Sequence, residues 1–248
     1  MNSLPNHIII SFQYGSSGAL ISSLVNHLLI PPEKRFSNLK YRQNFNINIS
    51  DMGDAHKNMN LNYVHAVTKE DMLAEAAKGL PRLFETHFSL AEYMIDIIPN
   101  SKVIYIHHNE DDYKLLSFNH FWKASCNGNS YLLDYWSKQV QEYSEKFPEE
   151  FKTIKNKLPW DLTKTEYRLV LMAHYDKLIS EKNDFTREIS SDRICQIEFQ
   201  DIRSGNLLIL KKISTFLGLI PDNYAEFMLK RYAIAQKSED QLLHLLKD

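Results

Sequence analysis

The N-terminal stretch His7–Leu29, HIIISFQYGSSGALISSLVNHLL, constrains the fold of this chain more than any other. An apolar run from His7 to Phe12 precedes a turn of small residues, Gly15–Gly18, and leucine and valine side chains then recur at helical spacing. This pattern is typical of a buried β-strand, a tight turn and a helix whose N-terminus faces the turn. The sequence therefore predicts a strand–turn–helix unit of an α/β domain.

The predicted turn suits a phosphate or sulfate group. Its backbone N–H groups, the hydroxyls of Ser16 and Ser17 and the positive end of the helix dipole together favour a bound anion. The alternative is an ordinary strand–helix turn that needs small residues for packing. Spacing excludes two other loops, since no lysine follows either glycine as in a P-loop, and Gly15–Gly18 is one residue shorter than a Gly-x-Ser-x-Gly nucleophile elbow.

The composition narrows the class of protein. The 248 residues, 44% hydrophobic and 24% charged, suit one large α/β domain with a sizeable core. With a formal net charge of -2, the chain lacks the excess of positive charge that is typical of proteins that bind nucleic acid or an anionic membrane. The 2 cysteines are too few for a disulfide framework or a cysteine-rich zinc site. With no signal peptide and no apolar stretch near ~18 residues, the sequence predicts a cytoplasmic protein.

Strands and helices alternate along the rest of the chain. Further strands are predicted at Arg82–Phe88, Lys102–His107 and Arg193–Phe199. Residues 36–65 are polar and rich in asparagine, and they are expected to form a long loop with short helical pieces. Ser204 is expected to cap a helix that stops at Gly218. This alternation predicts a three-layer α/β sandwich with a mostly parallel central sheet and helices on both faces.

The chain is predicted to form a single domain over residues 1–248. A helical insertion is expected around residues 130–183, as two helices broken near Pro148 and Leu158–Pro159. Thr163–Glu166 is expected to cap the second of these helices. Two further helices are expected to form a C-terminal extension over residues 221–248.

Four short segments are predicted to lie along one rim of the sheet, because ligands of parallel sheets bind at the carboxyl ends of the strands. They are Gly15–Gly18, Thr86–His87, His107–His108 and Gln200–Asp201.

The order and spacing of these segments resemble those of the sulfotransferases that use 3′-phosphoadenosine 5′-phosphosulfate (PAPS). In that family the first strand ends in a Lys/Arg-Ser-Gly-Thr/Ser-Thr loop, to which Gln13–Ser17 is similar. A Lys-Thr-His segment resembles Glu85–His87, and Lys-Ile-Ile-Tyr-x-x-Arg-Asn-x-x-Asp with a following helical serine resembles Lys102–Asp112 with Ser117. The resemblance continues at Phe199–Ile202 and Phe216–Gly218, and it spans about residues 7–125 and 190–220.

The resemblance implies a P-loop-like sulfotransferase fold and transfer of a sulfuryl group from PAPS to a hydroxyl of a small molecule or a carbohydrate. It implies no metal, and it assigns the general base to His87, whose imidazole titrates near neutral pH. The residues that it assigns to the donor are Gln13, Tyr14, Gly15, Ser16, Ser17, Gly18, His108 and Ser117.

Three positions depart from the family pattern. Gln13 replaces a basic residue that steadies the bridging oxygen, His108 replaces the arginine that holds the 3′-phosphate, and Ser117 falls one residue late. Each lost cation removes charge-assisted hydrogen bonds worth about 1.5–3 kcal/mol. The alternative is therefore a catalytically degenerate nucleotide- or anion-binding protein on the same fold. A nucleotide-kinase-like enzyme is disfavoured because the P-loop lysine is missing.

The segment around His107 and His108 allows other interpretations. His107 can take the role of His108, because the local register is ambiguous by one residue. The two histidines with Asp111 and Asp112 also suggest a metal site. Adjacent strand residues point to opposite faces, however, and acidic residues favour the start of a helix, so a helix start is the simpler interpretation.

Overall fold

The computed structural model describes residues 7–12, 17–30, 32, 62–65, 69–78, 82–86, 95, 98, 101–117, 130–180 and 192–245. The chain divides into two compact units. The first unit comprises residues 1–107 and 183–241, and the second comprises residues 108–182 and 242–248. The second unit includes nearly all of the predicted helical insertion, and the organisation as a single domain stays a prediction.

The first unit is built on a parallel sheet of five strands. They are β1 (His7–Ser11), β2 (Asn62–His65), β3 (Arg82–Thr86), β4 (Ser101–His107) and β5 (Ile194–Glu198), in the order β2-β3-β1-β4-β5. All four strand pairings are parallel. With helices around this sheet, the predicted α/β class is confirmed.

Strand β1 is central because its side chains are apolar on both faces. Ile8, Ile9 and Ile10 are at most 3% exposed, and Ser11 is fully buried. Such a β-branched run is typical of a parallel strand that is covered on both sides. The register pairs Ser11 with Thr86 of β3 and with Tyr105 of β4, so three strands reach the same edge of the sheet together.

Helix α1 (Gly18–Leu29) follows β1 and contacts β1 and β3. Of the apolar residues at helical spacing, Leu20, Leu24, Val25 and Leu28 are buried, whereas Leu29 is half-buried. Near its C-terminal end, the buried His27 places Nε2 2.8 Å from a carboxylate oxygen of Asp222.

The other helices of the first unit are α2 (Lys69–Ala76), α5 (Phe199–Ser204), α6 (Leu208–Leu217) and α7 (Asn223–Leu245). Asp222 accepts the backbone N–H of Ala225 and so caps α7, which links this helix to His27 of α1. Gly205 and Gly218 end α5 and α6 in the left-handed conformation, at φ 71° each. The predicted stop at Gly218 is confirmed.

Three predictions about local structure were wrong. Ser204 does not cap α6, because it ends the short helix α5 and donates its hydroxyl to the Asp201 carbonyl. The chain after Pro221 forms one helix, α7, instead of two. The predicted loop 36–65 ends in strand β2, a four-residue edge strand too short to show alternation in the sequence.

The second unit contains helices α3 (Ser130–Lys146) and α4 (Lys164–Ser180), with turns from residue 147 to 156 and a 3-10 helix at Pro159–Asp161 between them. Residues 110–117 are also helical. The buried core combines aromatic and aliphatic side chains and comprises Trp136, Val140, Tyr143, Phe151, Ile154, Val170 and Ala173. The predicted interruptions near Pro148 and Leu158–Pro159 are confirmed.

Thr163 and Glu166 form the predicted capping box of α4. The backbone N–H of Thr163 donates to Glu166 at 2.9 Å, and the backbone N–H of Glu166 donates to the Thr163 hydroxyl at 3.3 Å. The Lys157 ammonium donates to both carboxylate oxygens, at 2.8 and 2.9 Å. Hydrogen bonds from Lys157, and then from Thr163 and Thr153, lower the pKa of the Glu166 carboxyl from 4.5 to about 2.

We expect Glu166→Gln to flatten the acid dependence of stability. Because the pKa of Glu166 is lower in the folded chain, its contribution is complete above pH 4.5 and is lost as the pH falls from there towards 2. The free energy of unfolding in urea, measured at pH 6, 5, 4 and 3, should therefore decline less steeply in the variant than in wild type. The exposed Glu149→Gln is the control, and a slope in Glu166→Gln equal to that in wild type would contradict the prediction.

Candidate functional site

The carboxyl ends of β1 and β4 border the topological switch point of the sheet. The chain leaves β1 through α1 and reaches β2 on one side of the sheet, whereas it leaves β4 and next enters β5 on the other side. In open parallel sheets the ligand crevice lies where neighbouring connections diverge in this way. The candidate site is therefore the carboxyl edge of β1 and β4.

The predicted anion turn follows β1 at this edge. Gln13, Tyr14, Gly15 and Ser16 lie outside the described residues, and their roles stay predictions. Ser17 is the N-cap of α1 and has a left-handed backbone, with φ 68° and ψ 20°. This conformation is less favourable by roughly 1–2 kcal/mol for a residue other than glycine. Non-glycine residues that adopt it are concentrated in functional turns.

Gly18 begins α1 directly against the end of β1. A Cβ atom at this position would overlap the ring of Phe12, which is itself buried. Phe12 is also fixed through its backbone, because its N–H donates to the Thr86 carbonyl at 3.1 Å. Gly18 is therefore required for close approach of the helix to the strand, and its contact with a donor molecule stays a prediction.

The Ser17 side chain does not cap α1. Its hydroxyl is hydrogen-bonded to the hydroxyl of Tyr232, on α7, and it makes no capping bond to the backbone. Tyr232 is buried. A residue of the C-terminal helix thus positions the hydroxyl of the serine that ends the turn. This hydroxyl accepts no hydrogen bond from the first backbone N–H groups of α1.

Thr86 is a further candidate at the same edge. It ends β3 beside Ser11, and its side chain is fully buried. Among the described residues, no group hydrogen-bonds its hydroxyl. Buried hydroxyls in folded proteins are normally paired, so this group is suited to a ligand or to a neighbouring backbone group. His87, the predicted base, comes next in the chain and lies outside the described residues.

His107 ends β4 and pairs with Glu198, its register partner at the end of β5. Its Nδ1 lies 2.7 Å from Oε2 of Glu198, and the two side chains are 31% and 48% exposed. Gln196 donates to the other carboxylate oxygen at 2.9 Å. Partial burial raises the pKa of the Glu198 carboxyl. Hydrogen bonds from Gln196 and His107 and the charges of His107 and Lys212 lower this pKa by a larger amount, so the net shift is downward.

His108 and Ser117 belong to the second unit. His108 is 1% exposed, and its ring centroid lies 5.8 Å from that of Tyr113. Ser117 is buried and donates its hydroxyl to the Leu171 carbonyl at 2.9 Å. Ser117 therefore bonds within its own unit, and the assignment of both residues to the 3′-phosphate stays a prediction.

The acidic residues after His108 start a helix. The backbone N–H of Asn109 donates to Asp112 at 2.8 Å, and the backbone N–H of Asp112 donates to the Asn109 side chain at 3.0 Å. Asp111 is exposed and pairs with Lys114. Within the described ranges, no three histidine, cysteine or acidic side chains are grouped as a metal site requires. None of the helices in the described part of the chain is long and apolar enough to span a membrane.

Two residues of this edge could not be found from the sequence. Glu198 closes a predicted strand, but only the strand order shows that this strand lies beside His107. Tyr232 stands in the middle of a long helix with no motif around it, and 215 positions separate it from Ser17.

The comparisons with known proteins establish no family for this chain. No protein-family model and no curated protein matches it. Among solved structures, a sulfotransferase domain from the curacin biosynthetic pathway is similar with 14% identity and a TM-score of 0.40, over 90% of this chain and 77% of that one. A sulfotransferase domain from the Synechococcus PCC 7002 olefin synthase is similar with 13% identity and a TM-score of 0.33, over the same shares. Similarity at this level demonstrates neither the family nor the activity.

Proposed function

We propose that this protein is a sulfotransferase that transfers a sulfuryl group from PAPS to a hydroxyl of a small-molecule or carbohydrate acceptor. The observation that carries the proposal is the turn between β1 and α1, which ends in the left-handed Ser17 at the switch point of a parallel sheet. The backbone N–H groups and the positive end of a helix dipole meet at such a turn, which favours a phosphate group.

In this proposal the turn holds the 5′-phosphate of the donor. Gly15 allows the backbone to approach the phosphate, and Ser16 and Ser17 contribute hydroxyl groups. The hydroxyl of Thr86, which no described residue hydrogen-bonds, supports a polar ligand at the same edge. His87 accepts the proton of the acceptor hydroxyl as this oxygen attacks sulfur. Sulfuryl transfer resembles phosphoryl transfer, in which positioning and charge stabilisation account for most of the catalysis.

The second candidate function is nucleotide or anion binding without turnover. The observation that favours it is the absence of a cation in the predicted turn, since Gln13–Gly18 contains no lysine or arginine. PAPS is a polyanion, and weaker charge stabilisation slows transfer more than it affects binding to backbone donors.

Calorimetric titration with adenosine 3′,5′-bisphosphate distinguishes these possibilities, with ADP and AMP as controls. Preferential binding of the bisphosphate, together with consumption of PAPS, supports the sulfotransferase. Preferential binding without any consumption of PAPS supports the degenerate protein. Equal or tighter binding of ADP contradicts the sulfotransferase, because a site for its donor should prefer a nucleotide with a 3′-phosphate.

We expect Gly15→Val to abolish binding of the bisphosphate while the protein stays folded. A branched side chain in the turn would occupy the space that the phosphate needs next to the backbone. Circular dichroism tests the fold, and calorimetry tests the affinity. Gly218→Val, which adds the same side chain to the glycine that ends α6, is the matched control. Wild-type affinity in a folded Gly15→Val variant would rule out this turn as the phosphate site.

A further inference from the structure

Helix α7 packs against the first unit with one side and is exposed on the other. Tyr232 bonds the N-cap residue of α1, and the Gln236 side chain accepts a hydrogen bond from the buried Arg203 at 2.7 Å. A Cβ atom on Gly205 would lie 2.9 Å from that of Ala233, so α7 also passes close to the end of α5. Because the α7 residues of these contacts share one side of the helix, the opposite side is the exposed one.

The exposed side of α7 carries two large apolar residues. Phe227 is 53% exposed and Ile234 is 68% exposed. Seven positions separate them, which is close to two helical turns, so they lie on one line about 10 Å apart. The outward side of a packed surface helix is normally polar, and a single exposed apolar residue is common. Two that recur after seven positions are typical of a helix that packs against another helix.

Cations stand between and beside these apolar residues. Lys230 and Arg231 lie between them in the sequence, and Lys237 lies one turn beyond them, so all three exposed cations share the same side of the helix. Of the described side chains of α7, the one carboxylate is that of Glu226, which lies 4.0 Å from the Lys230 ammonium. No described carboxylate pairs with Arg231 or Lys237. This side of the helix therefore carries a net positive charge.

We call this surface the outer face of α7. It comprises Phe227, Lys230, Arg231, Ile234 and Lys237.

A second copy of this chain does not complement the outer face of α7. If two such helices packed antiparallel, with Phe227 of one copy against Ile234 of the other, Lys230 of each copy would meet Arg231 of the other copy. Parallel packing in register would place each cation against the same cation of the other copy. Like charges that face each other across an interface are destabilising, so the partner of this face should carry negative charge.

The order of the side chains favours a protein partner over an anionic membrane. A helix that lies on a membrane inserts an apolar face into the acyl boundary and keeps its cations on a separate polar face. On α7, insertion of both apolar residues would bring Lys230 and Arg231 to the same depth. A partner helix on which apolar and acidic positions alternate accommodates both kinds of side chain at once.

We propose that the outer face of α7 docks an acidic amphipathic helix of another protein. Phe227 and Ile234 pack among apolar residues that recur every seven positions on that helix, and its carboxylates pair with the three cations. Apolar anchors at the centre of an interface account for much of its affinity, and charge attraction increases the rate of association. The proposal does not depend on the proposed sulfotransferase function.

A fluorescein-labelled helical peptide tests the proposal. Each heptad of the peptide has one leucine, which glutamates flank on the same face, and in the control peptide lysine replaces every glutamate. Fluorescence anisotropy measures the binding of both peptides to wild type, Ile234→Asp and Arg231→Glu. The matched controls are Met172→Asp, at an apolar residue of α4 that is 65% exposed, and Lys155→Glu, at an exposed cation of the second unit. Circular dichroism establishes that each variant is folded.

We expect wild type to bind the acidic peptide and not the basic one. Ile234→Asp and Arg231→Glu should each weaken this binding by roughly tenfold or more, because one removes an apolar anchor and the other reverses a paired charge. Met172→Asp and Lys155→Glu should bind as wild type does. Binding to wild type should weaken as the salt concentration rises, and Arg231→Glu should make it less sensitive to salt.

Three results would overturn the proposal. The first is failure of wild type to bind the acidic peptide, or equal binding by wild type and both outer-face variants. The second is a wild-type dimer in analytical ultracentrifugation that Ile234→Asp abolishes, because a second copy then covers the face. The third is cosedimentation with phosphatidylserine vesicles that Arg231→Glu abolishes, without binding of the peptide, because the face then contacts a membrane.

Discussion

Gly18→Val is expected to destabilise the protein by about 3 kcal/mol and to weaken binding at the anion turn. Overpacking a core usually costs about 1–3 kcal/mol, and this site is at the upper end because Phe12 has little freedom to move. Its ring would overlap even the first added carbon, the side chain is buried, and its backbone is bonded to Thr86. The free energy of unfolding in urea measures the effect.

Two controls identify the cause. Gly218 has a positive φ of 71° with no atom within 4 Å of an added Cβ, so Gly218→Val carries only backbone strain of roughly 1–2 kcal/mol. In a Phe12→Ala background, Gly18→Val should lower the free energy of unfolding by only a small fraction of its effect in wild type, since the overlapping ring is absent. An equal loss of unfolding free energy in both backgrounds would show that contact with Phe12 is not what requires glycine at position 18.

His87→Ala is expected to reduce kcat roughly 10²–10⁴-fold with little change in affinity for adenosine 3′,5′-bisphosphate. A general base acts on the proton of the acceptor, and its loss therefore removes the acid limb of the pH–rate profile. Lys230→Ala, which removes an exposed charge of α7, is the control and should keep the wild-type rate.

Turnover of PAPS near the wild-type rate in His87→Ala would place the base elsewhere. Loss of bisphosphate affinity in the same variant would indicate that His87 binds the donor, or supports the turn, instead of accepting a proton. Measurement of kcat and affinity on the same samples distinguishes these results, since the two roles affect different constants.

The sequence was sufficient for the parallel sheet because its strands have strong local signals. β1 and β4 are apolar runs with β-branched residues, and Gly218 after α6 has the left-handed conformation that ends helices. β2 was missed because four residues of an edge strand have no such signal. Ser204 was misassigned because a serine before a helix and a serine at the end of one look alike in sequence.

The candidate site was harder to predict, because its contacts join distant parts of the chain. The motif around Ser17 is local and was recognised, but the partner of its hydroxyl is Tyr232. His107 was weighed as an alternative to His108, yet only strand order places Glu198 beside it. The different surroundings of the two histidines, one buried in the second unit and one part-exposed at the sheet edge, also depend on tertiary structure.

The two contacts that α7 makes with α1 have a consequence for biosynthesis. Tyr232 bonds Ser17 at the first turn of α1, and Asp222 bonds His27 near the last. A ribosome makes the strand and helix of the anion turn some 200 residues before it makes these partners. The emerging chain therefore carries this turn without these two contacts until α7 has left the exit tunnel.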